Sequence, residues 1–276
     1  MQIIDGRKIR DEILQLLKER VHGLPFKPVF CDVLVGDDPA SAQYVRMKEQ
    51  VAESLGIRIE KGTFPESIST EDLISSIQHI AQTPHMAGLI VQLPLPSHID
   101  RQAVLNAVPL VLDVDTTGAQ ASQLFYENKA LYAYPTALAV LAVLDSLALD
   151  LSEKKIVMVG QGMLVGKPVT HMLRARGLDV TVVDRDTPDP TSLFKNADVL
   201  ISAVGKPHFI TKDDLKQGVI VIDAGTSELE GGVVGDIDPE GLSSVASAFS
   251  PVPGGVGPVT VAMLMQNIVQ SAEKMK

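Results

Sequence analysis

The sequence predicts an α/β fold in two domains, each built on a parallel sheet flanked by helices. Three observations predict it. The chain has 276 residues, which at roughly 150 residues per domain suggests one large or two modest domains. It is 45% hydrophobic and 21% charged, enough apolar material for a substantial core and too little charge for a disordered chain. Short apolar runs alternate with amphipathic stretches from one end to the other, the rhythm of strand, helix, strand.

The elements follow in order. Residues 29–35 read as a buried strand ending at Gly36. Residues 39–55 read as a helix, with Asp38 as N-cap, Pro39 in the first turn and Gly56 as the stop. Residues 57–59 start a strand, 70–81 form a helix, and 87–93 form a strand that Pro94-Leu95-Pro96 cannot continue. The stretch 113–134 is polar and irregular, and 135–149 is a long apolar linking helix. Strands then fall at 156–159, 180–183, 199–203 and 219–223, with a helix at 165–176. The last helix, 259–274, carries Val261, Leu264, Met265 and Ile268 on its apolar face. The domain division is therefore 1–134, completed by the C-terminal helix 259–276, and 135–258.

Composition excludes several partners. Lys and Arg number 24 against 34 Asp and Glu, a net charge of −10. Without a basic run, neither nucleic acid nor an anionic membrane surface is expected. The single cysteine, Cys31, allows no internal disulfide and fits a reducing compartment. No apolar run reaches the roughly 18 residues of a membrane span, and the first ten residues lack the apolar stretch of a signal peptide. A cytoplasmic location is expected. The six histidines show no ligand-like spacing, so no metal site is predicted.

Two places carry chemistry. The strand 156–159 runs into Gly160-Gln161-Gly162-Met163-Leu164-Val165-Gly166 and then a helix. Glycines let a backbone turn tightly and approach a pyrophosphate, and a helix start offers free N–H groups. The same pattern also fits a tight turn with no ligand. Asp184, at the end of the next strand, can accept from a ribose hydroxyl or be a plain solvated acid. In the first half, Tyr44 and Lys48 lie four apart on one helix face. Gln92 stands at a strand's carboxyl end, where it can orient a lysine amine. Asp113 and Asp115 follow on the same rim and can bind the N–H edge of a heterocycle. The plain alternatives are a surface lysine beside a half-buried tyrosine, and a polar loop.

These residues sit in longer strings: Val35-Gly36-Asp37-Asp38-Pro39-Ala40-Ser41, Tyr44-Val45-Arg46-Met47-Lys48, and Val91-Gln92-Leu93-Pro94-Leu95-Pro96. Further on come Gly166-Lys167-Pro168, Gly235-Asp236-Ile237-Asp238 and Pro251-Val252-Pro253-Gly254-Gly255-Val256-Gly257-Pro258. Over nearly its whole length the chain resembles the bifunctional methylenetetrahydrofolate dehydrogenase/cyclohydrolase family. The resemblance implies an N-terminal α/β catalytic domain and a C-terminal Rossmann-type dinucleotide-binding domain, usually in a homodimer. It implies a tetrahydrofolate derivative as substrate, oxidised to the methenyl form and then hydrolysed to the formyl form. Lys48 corresponds to the catalytic lysine, Tyr44 to the residue stacking on substrate, Gln92 to the lysine's partner and Asp115 to the pterin anchor. Pro253, Gly254, Gly255 and Val256 correspond to a substrate loop. Gly160, Gln161, Gly162, Val165, Gly166, Asp184, Arg185, Ala203 and Thr226 correspond to the cofactor site.

The chain departs from the family in several regions, one of them Tyr132-Ala133-Tyr134-Pro135-Thr136-Ala137, to which the family's Pro-Cys-Thr-Pro-x-Gly is reduced. Asp113-Val114-Asp115 is followed by Thr116-Thr117 where the family has Gly-Phe. The family's Gly-Arg-Ser turn is Gly160-Gln161-Gly162, and Asp184 stands at the next strand end. Loss of the Arg and gain of the acid favour NAD over NADP, since a carboxylate repels a 2′-phosphate. The alternative readings are a monofunctional dehydrogenase and a non-catalytic folate- or nucleotide-binding homologue.

Overall fold

The structure, a computed structural model, describes residues 1–229 and 231–275. Packing divides the chain into two compact units. The first comprises residues 12–134 and 264–276, the second residues 1–11 and 135–263. The sequence reading placed residues 1–134 in a single domain; residues 1–11 instead join the second unit. There, strand β1 (Gln2–Ile3) pairs in parallel with a late strand, at Gln2↔Ala248 and Ile3↔Phe249. Helix α1 (Gly6–His22) follows, and the division falls within it. A side chain on Gly6 would collide with the Gly255 carbonyl, so the start of α1 is fitted to that loop by the absence of a Cβ.

The first unit is built around β2 (Val29–Val35), in which every residue is buried. Helix α2 (Pro39–Ser54) begins as expected, with the Asp38 carboxylate accepting from the Ser41 amide at 2.8 Å. Strands β3 (Arg58–Glu60) and β4 (Thr63–Phe64) pair with successive parts of β2. Helix α3 (Thr70–Ile80) is capped by Ser69, and β5 (Met86–Val91) pairs with β2. All these pairings are parallel, and β2 and β5 are covered on both faces, as a continuous apolar run requires. Val33, Leu73, Ile77 and Leu89 lie in the core that α4 (Arg101–Ala107) helps to close. Helix α5 (Ala119–Tyr126) forms inside the stretch read as irregular.

The second unit begins with α6 (Pro135–Asp145), which ends four residues short of the expected boundary. Then come β6 (Ile156–Val159), α7 (Gly166–Ala175), β7 (Val180–Val183), α8 (Thr191–Phe194), β8 (Val199–Ser202) and β9 (Val219–Asp223). A short antiparallel hairpin, β10 (Ser227–Leu229) and β11 (Gly232–Val234), and strand β12 (Ala246–Ser250) follow. The six-stranded sheet runs β1-β12-β9-β8-β6-β7, parallel throughout. After β6 the chain builds β7 on one side and β8 on the other, so the strand order reverses at β6. Ligands of open α/β sheets sit at such a point.

Helix α9 (Val256–Glu273) starts three residues earlier than expected and buries Val261, Leu264, Met265 and Ile268. Its later half belongs to the first unit. There Asn267 Nδ2 donates to the carbonyls of Val114 and Ala133, both at 2.8 Å. Asn267→Ala strands two carbonyls that this buried amide now satisfies. Urea unfolding is expected to show a loss of about 1–3 kcal/mol. An unchanged midpoint would mean that water or a shifted backbone takes over the role of the amide.

Candidate active site

In the first unit, α2, the middle of β2 and the carboxyl end of β5 bring four polar side chains together. Lys48, on α2, is only 3% exposed. Its Nζ donates to Gln92 Oε1 at 2.8 Å. Gln92 follows β5 directly, and its Nε2 donates back to the Leu93 carbonyl at 2.6 Å, which fixes the amide. The second partner of Lys48 is one the sequence reading missed. Asp32, in the middle of β2, places Oδ2 2.6 Å from Lys48 Nζ and is 2% exposed. Tyr44, one turn before Lys48, lays its ring 4.6 Å from the same nitrogen, with its side chain toward the open side. A signal for Asp32 existed: a lone acid inside an apolar strand is stable only when paired.

The pair Asp113 and Asp115 splits into two roles. Asp113 is buried and accepts from the amides of Thr117 at 3.1 Å and Gly118 at 2.8 Å. It is a structural acceptor for its own loop and is not free for a heterocycle, which corrects the sequence reading. Asp115 remains. Burial pushes its carboxyl up to about 6, partly offset by the Lys48 ammonium and reinforced by Asp113 and Asp32. Thr116 between them takes φ 61°, is buried, and has no partner for its hydroxyl among the described residues.

In the second unit, the turn after β6 is built by close approach. Gly160 has φ 92°, and a Cβ there would lie 2.5 Å from the Ala203 carbonyl. A Cβ on Gly166 would collide with the Gly160 carbonyl, whereas Gly162 has open space around it. The first turn of α7 follows Val165, which caps it with no side-chain bond. Open space beside Gly162 admits close approach of a ligand, while the Lys167 amide is already held by the Gly162 carbonyl at 3.1 Å and Pro168 has no N–H. Gln161 folds back, donating to the Gly160 carbonyl and Thr170 Oγ1 at 2.8 and 3.0 Å. Thr226, exposed, lies in the loop after β9.

Asp184 lies just beyond β7. Its Oδ1 accepts from the Asp186 amide and Thr187 Oγ1, both at 3.0 Å, and its Oδ2 has no hydrogen bond among the described residues. Arg185 follows Asp184 directly. The strand ends at Val183, and both residues occupy the turn closed by Thr187 N and the Asp184 carbonyl. Arg185 is exposed.

The loop 253–256 is held from two sides. Gly6 N donates to the Gly254 carbonyl at 2.9 Å, and Gly255 N to the Pro251 carbonyl at 2.7 Å. Gly254 takes φ 108°. At the carboxyl ends of β8 and β9, two buried acids organise the adjoining loops. Asp236 accepts from Ser202 Oγ and from the amides of Val204 and Lys206. Asp223 accepts from the amides of Gly225, Asp236 and Ile237.

Residues 134–276 match the model of the tetrahydrofolate dehydrogenase/cyclohydrolase NAD(P)-binding domain, and residues 4–115 that of the catalytic domain. The bifunctional protein FolD of Nautilia profundicola is 42% identical over 277 residues, covering 99% of this chain and 98% of that protein. The crystal structure of the bifunctional enzyme FolD from Campylobacter jejuni matches with a TM-score of 0.95 at 34% identity, covering all of both chains. The Trypanosoma brucei enzyme, solved with NADP cofactor and an inhibitor, matches at 0.92 and 30% identity over 99% of this chain and 97% of that one.

Burial raises the Asp223 carboxyl to about 7 from its ordinary 3.8, against the pull of its three amide partners. Between those values the folded protein holds a proton that the unfolded chain has released. The stabilising contribution of this proton is complete below about pH 4 and is lost as pH rises through 7. Asp223→Asn removes that dependence. The difference in Tm between the two proteins is expected to change across this range and to level off above it. A constant difference would show that Asp223 is ionised throughout.

Proposed function

The chain belongs to the tetrahydrofolate dehydrogenase/cyclohydrolase family, and we propose that it oxidises methylenetetrahydrofolate to the methenyl form and hydrolyses that to formyltetrahydrofolate. The observation that carries the reading is the buried Lys48 amine held by Gln92 beneath the Tyr44 ring. Hydrolysis of a methenyl cation needs one group that takes and returns a proton beside the reacting carbon. Lys48 takes a proton from the attacking water as its oxygen bonds to that carbon. It then returns a proton to the ring nitrogen as the carbon–nitrogen bond breaks, and the hydroxyl proton leaves to solvent as the carbonyl forms. Tyr44 stacks on the substrate and Asp115 accepts from the pterin N–H edge, a charge-assisted contact available to its ionised form. The family resemblance assigns Pro253, Gly254, Gly255 and Val256 to a substrate loop. No observation favours a monofunctional or non-catalytic homologue.

A bound nicotinamide would supply the hydride acceptor. Gly160, Gly162, Val165, Gly166, Ala203 and Thr226 would hold the dinucleotide at the carboxyl ends of β6, β8 and β9. NAD is preferred to NADP. Gln161 is neutral and turned back onto α7, so it brings no cation to a 2′-phosphate. Asp184 keeps one oxygen free for a ribose hydroxyl. Two like charges about 4 Å apart repel by about 4 kcal/mol at an effective dielectric near 20. Arg185 is the available counterweight, since a guanidinium pairs bidentately with phosphate. The family resemblance also supports a homodimer, and a cytoplasmic location fits a chain in which no described helix is long and apolar enough to cross a membrane.

Lys48→Met is expected to lower methenyl hydrolysis by about 10²–10⁴-fold, the usual worth of a positioned acid/base group. Absorbance of the methenyl substrate follows it, with circular dichroism confirming the fold. Hydrolysis at the wild-type rate above background overturns the role of Lys48.

A direct comparison of kcat/KM for the dehydrogenase is expected to favour NAD. A ratio favouring NADP refutes the preference. In that event Arg185→Ala would invert the ratio, identifying the guanidinium as the phosphate's partner.

A further inference from the structure

We infer that Asp32 is a positioning residue for Lys48, aiming its amine and fixing the pH at which the pair releases a proton. This rests on the reading of Lys48 as the acid/base group. Four observations support it. Asp32 is buried in a strand whose other residues are Val, Phe, Cys, Val, Leu and Val. Its Oδ2 lies 2.6 Å from Lys48 Nζ. Neither of its oxygens has a hydrogen bond among the described residues, so the carboxylate is not spent on the backbone, unlike those of Asp113 and Asp223. Gln92 Oε1 approaches the same nitrogen from the neighbouring strand end.

Nitrogen valence supplies the rest of the argument. A lysine amine has three directions besides its bond to Cε. Gln92 accepts in one of them. Asp32 Oδ2 lies 2.6 Å from the nitrogen as an ion-pair partner, without an aligned hydrogen bond. With the Gln92 acceptor alone the amine would rotate about its Cε–Nζ bond. The charge of Asp32 biases that rotation, and aiming of a reacting group is a large part of what an active site contributes. The carboxylate also rewards the protonated form of the amine.

The groups facing Asp32 are known by element. From α2 come Lys48, Glu49 and the Tyr44 ring; from beyond β5, Gln92; from the loop after α4, Asp115; and beside it on β2, Cys31. Burial pushes the Cys31 thiol up to about 12, so it stays neutral. Glu49 and Asp115 are acids and make Asp32 harder to ionise, whereas Lys48 makes it easier.

The test has two arms. The first is the pH profile of methenyltetrahydrofolate hydrolysis by the wild type and Asp32→Asn, with uncatalysed hydrolysis subtracted. The amide keeps an acceptor oxygen and loses the charge. The rising limb is expected to move to lower pH by about 1–3 units, the effect of one close opposite charge. KM for the folate should hold, because Asp32 lies beneath the lysine and not at the surface. An unmoved limb in a folded variant overturns the proposal. Should Asp32→Asn not fold, Asp32→Ala is read in its place.

The second arm needs no activity. Urea unfolding of Asp32→Asn, Lys48→Met and the double variant forms a cycle. Lys48→Met leaves a buried, uncompensated carboxylate and is expected to destabilise; adding Asp32→Asn should restore much of the loss. Additive effects overturn the pairing. A wild type without hydrolysis would refute the functional reading, while the cycle would still decide whether Asp32 and Lys48 act as one unit.

Discussion

A lysine ammonium taken out of water must be met by opposite charge or lose its proton, and Lys48 is almost wholly out of water. Much of the first unit is arranged around that constraint. Asp32 supplies the charge from the central strand β2, so β2 has to be covered on both faces. Gln92 supplies the hydrogen-bond acceptor, and it is delivered by register: Val33 pairs with Val91, and the Gln92 amide donates to the Val33 carbonyl at 2.8 Å. A slip of one residue would turn Gln92 to the opposite face. Helix α2 supplies the lysine, and its start is pinned by Asp38. Buried ion pairs often add little net stability over apolar contacts of the same volume. Their effect is to leave one arrangement in which every charge is met, and here that arrangement is the site.

The second unit solves a different problem with backbone in place of side chains. Its turn after β6 brings main chain against main chain, Gly160 on Ala203 and Gly166 on Gly160, at distances that admit no Cβ. The loops at the carboxyl ends of β8 and β9 are tied by two buried carboxylates. Gly225 and Gly235 pass so close to Asp236 and Asp223 that neither could carry a side chain without moving an acid. Side chains that would otherwise fill the turn are either absent, as at Gly162, or folded away, as at Gln161. The result is bare main chain beside open space at Gly162, where a ligand can come close to the backbone.

The parts legible in the sequence were those that repeat a period. Strands β2, β6, β7 and β9 fell at the expected residues because buried parallel strands are continuous apolar runs bounded by glycine or polar residues. The two-residue strand β1 carries no period at all. Helix α1 did carry one: Asp5 accepts from the Arg7 amide at 2.9 Å, and Ile9, Ile13, Leu17 and Val21 recur every four residues. That signal was readable and went unread. Helix α5 was hidden because Gly118 gives its start no side-chain cap. Among site residues, Tyr44, Lys48 and Gln92 were found from helix spacing and strand ends. Asp32 was not, because it was counted as part of an apolar run, although an acid in such a run is the residue that most requires a partner. Asp113 and Asp115 were indistinguishable by spacing; only the amides of Thr117 and Gly118 separate them.

Charge ties these pieces to the chemistry. Around Lys48 stand two acids, Asp32 and Asp115, and the second, at about 6, is mainly ionised at neutral pH. Burial makes both acids harder to ionise and Lys48 makes both easier. Thr116 lies in the loop that carries Asp115. A non-glycine residue at φ 61° is strained by about 1–3 kcal/mol and persists only where its surroundings impose it. Here Asp113 imposes it, by gripping the amides just beyond. The loop therefore cannot relax to bring Asp115 under the same amides, where its charge would be absorbed as that of Asp113 is. The strain at Thr116 and the raised carboxyl of Asp115 are then two parts of one loop, in which the amides that would favour an ionised acid are already taken by Asp113.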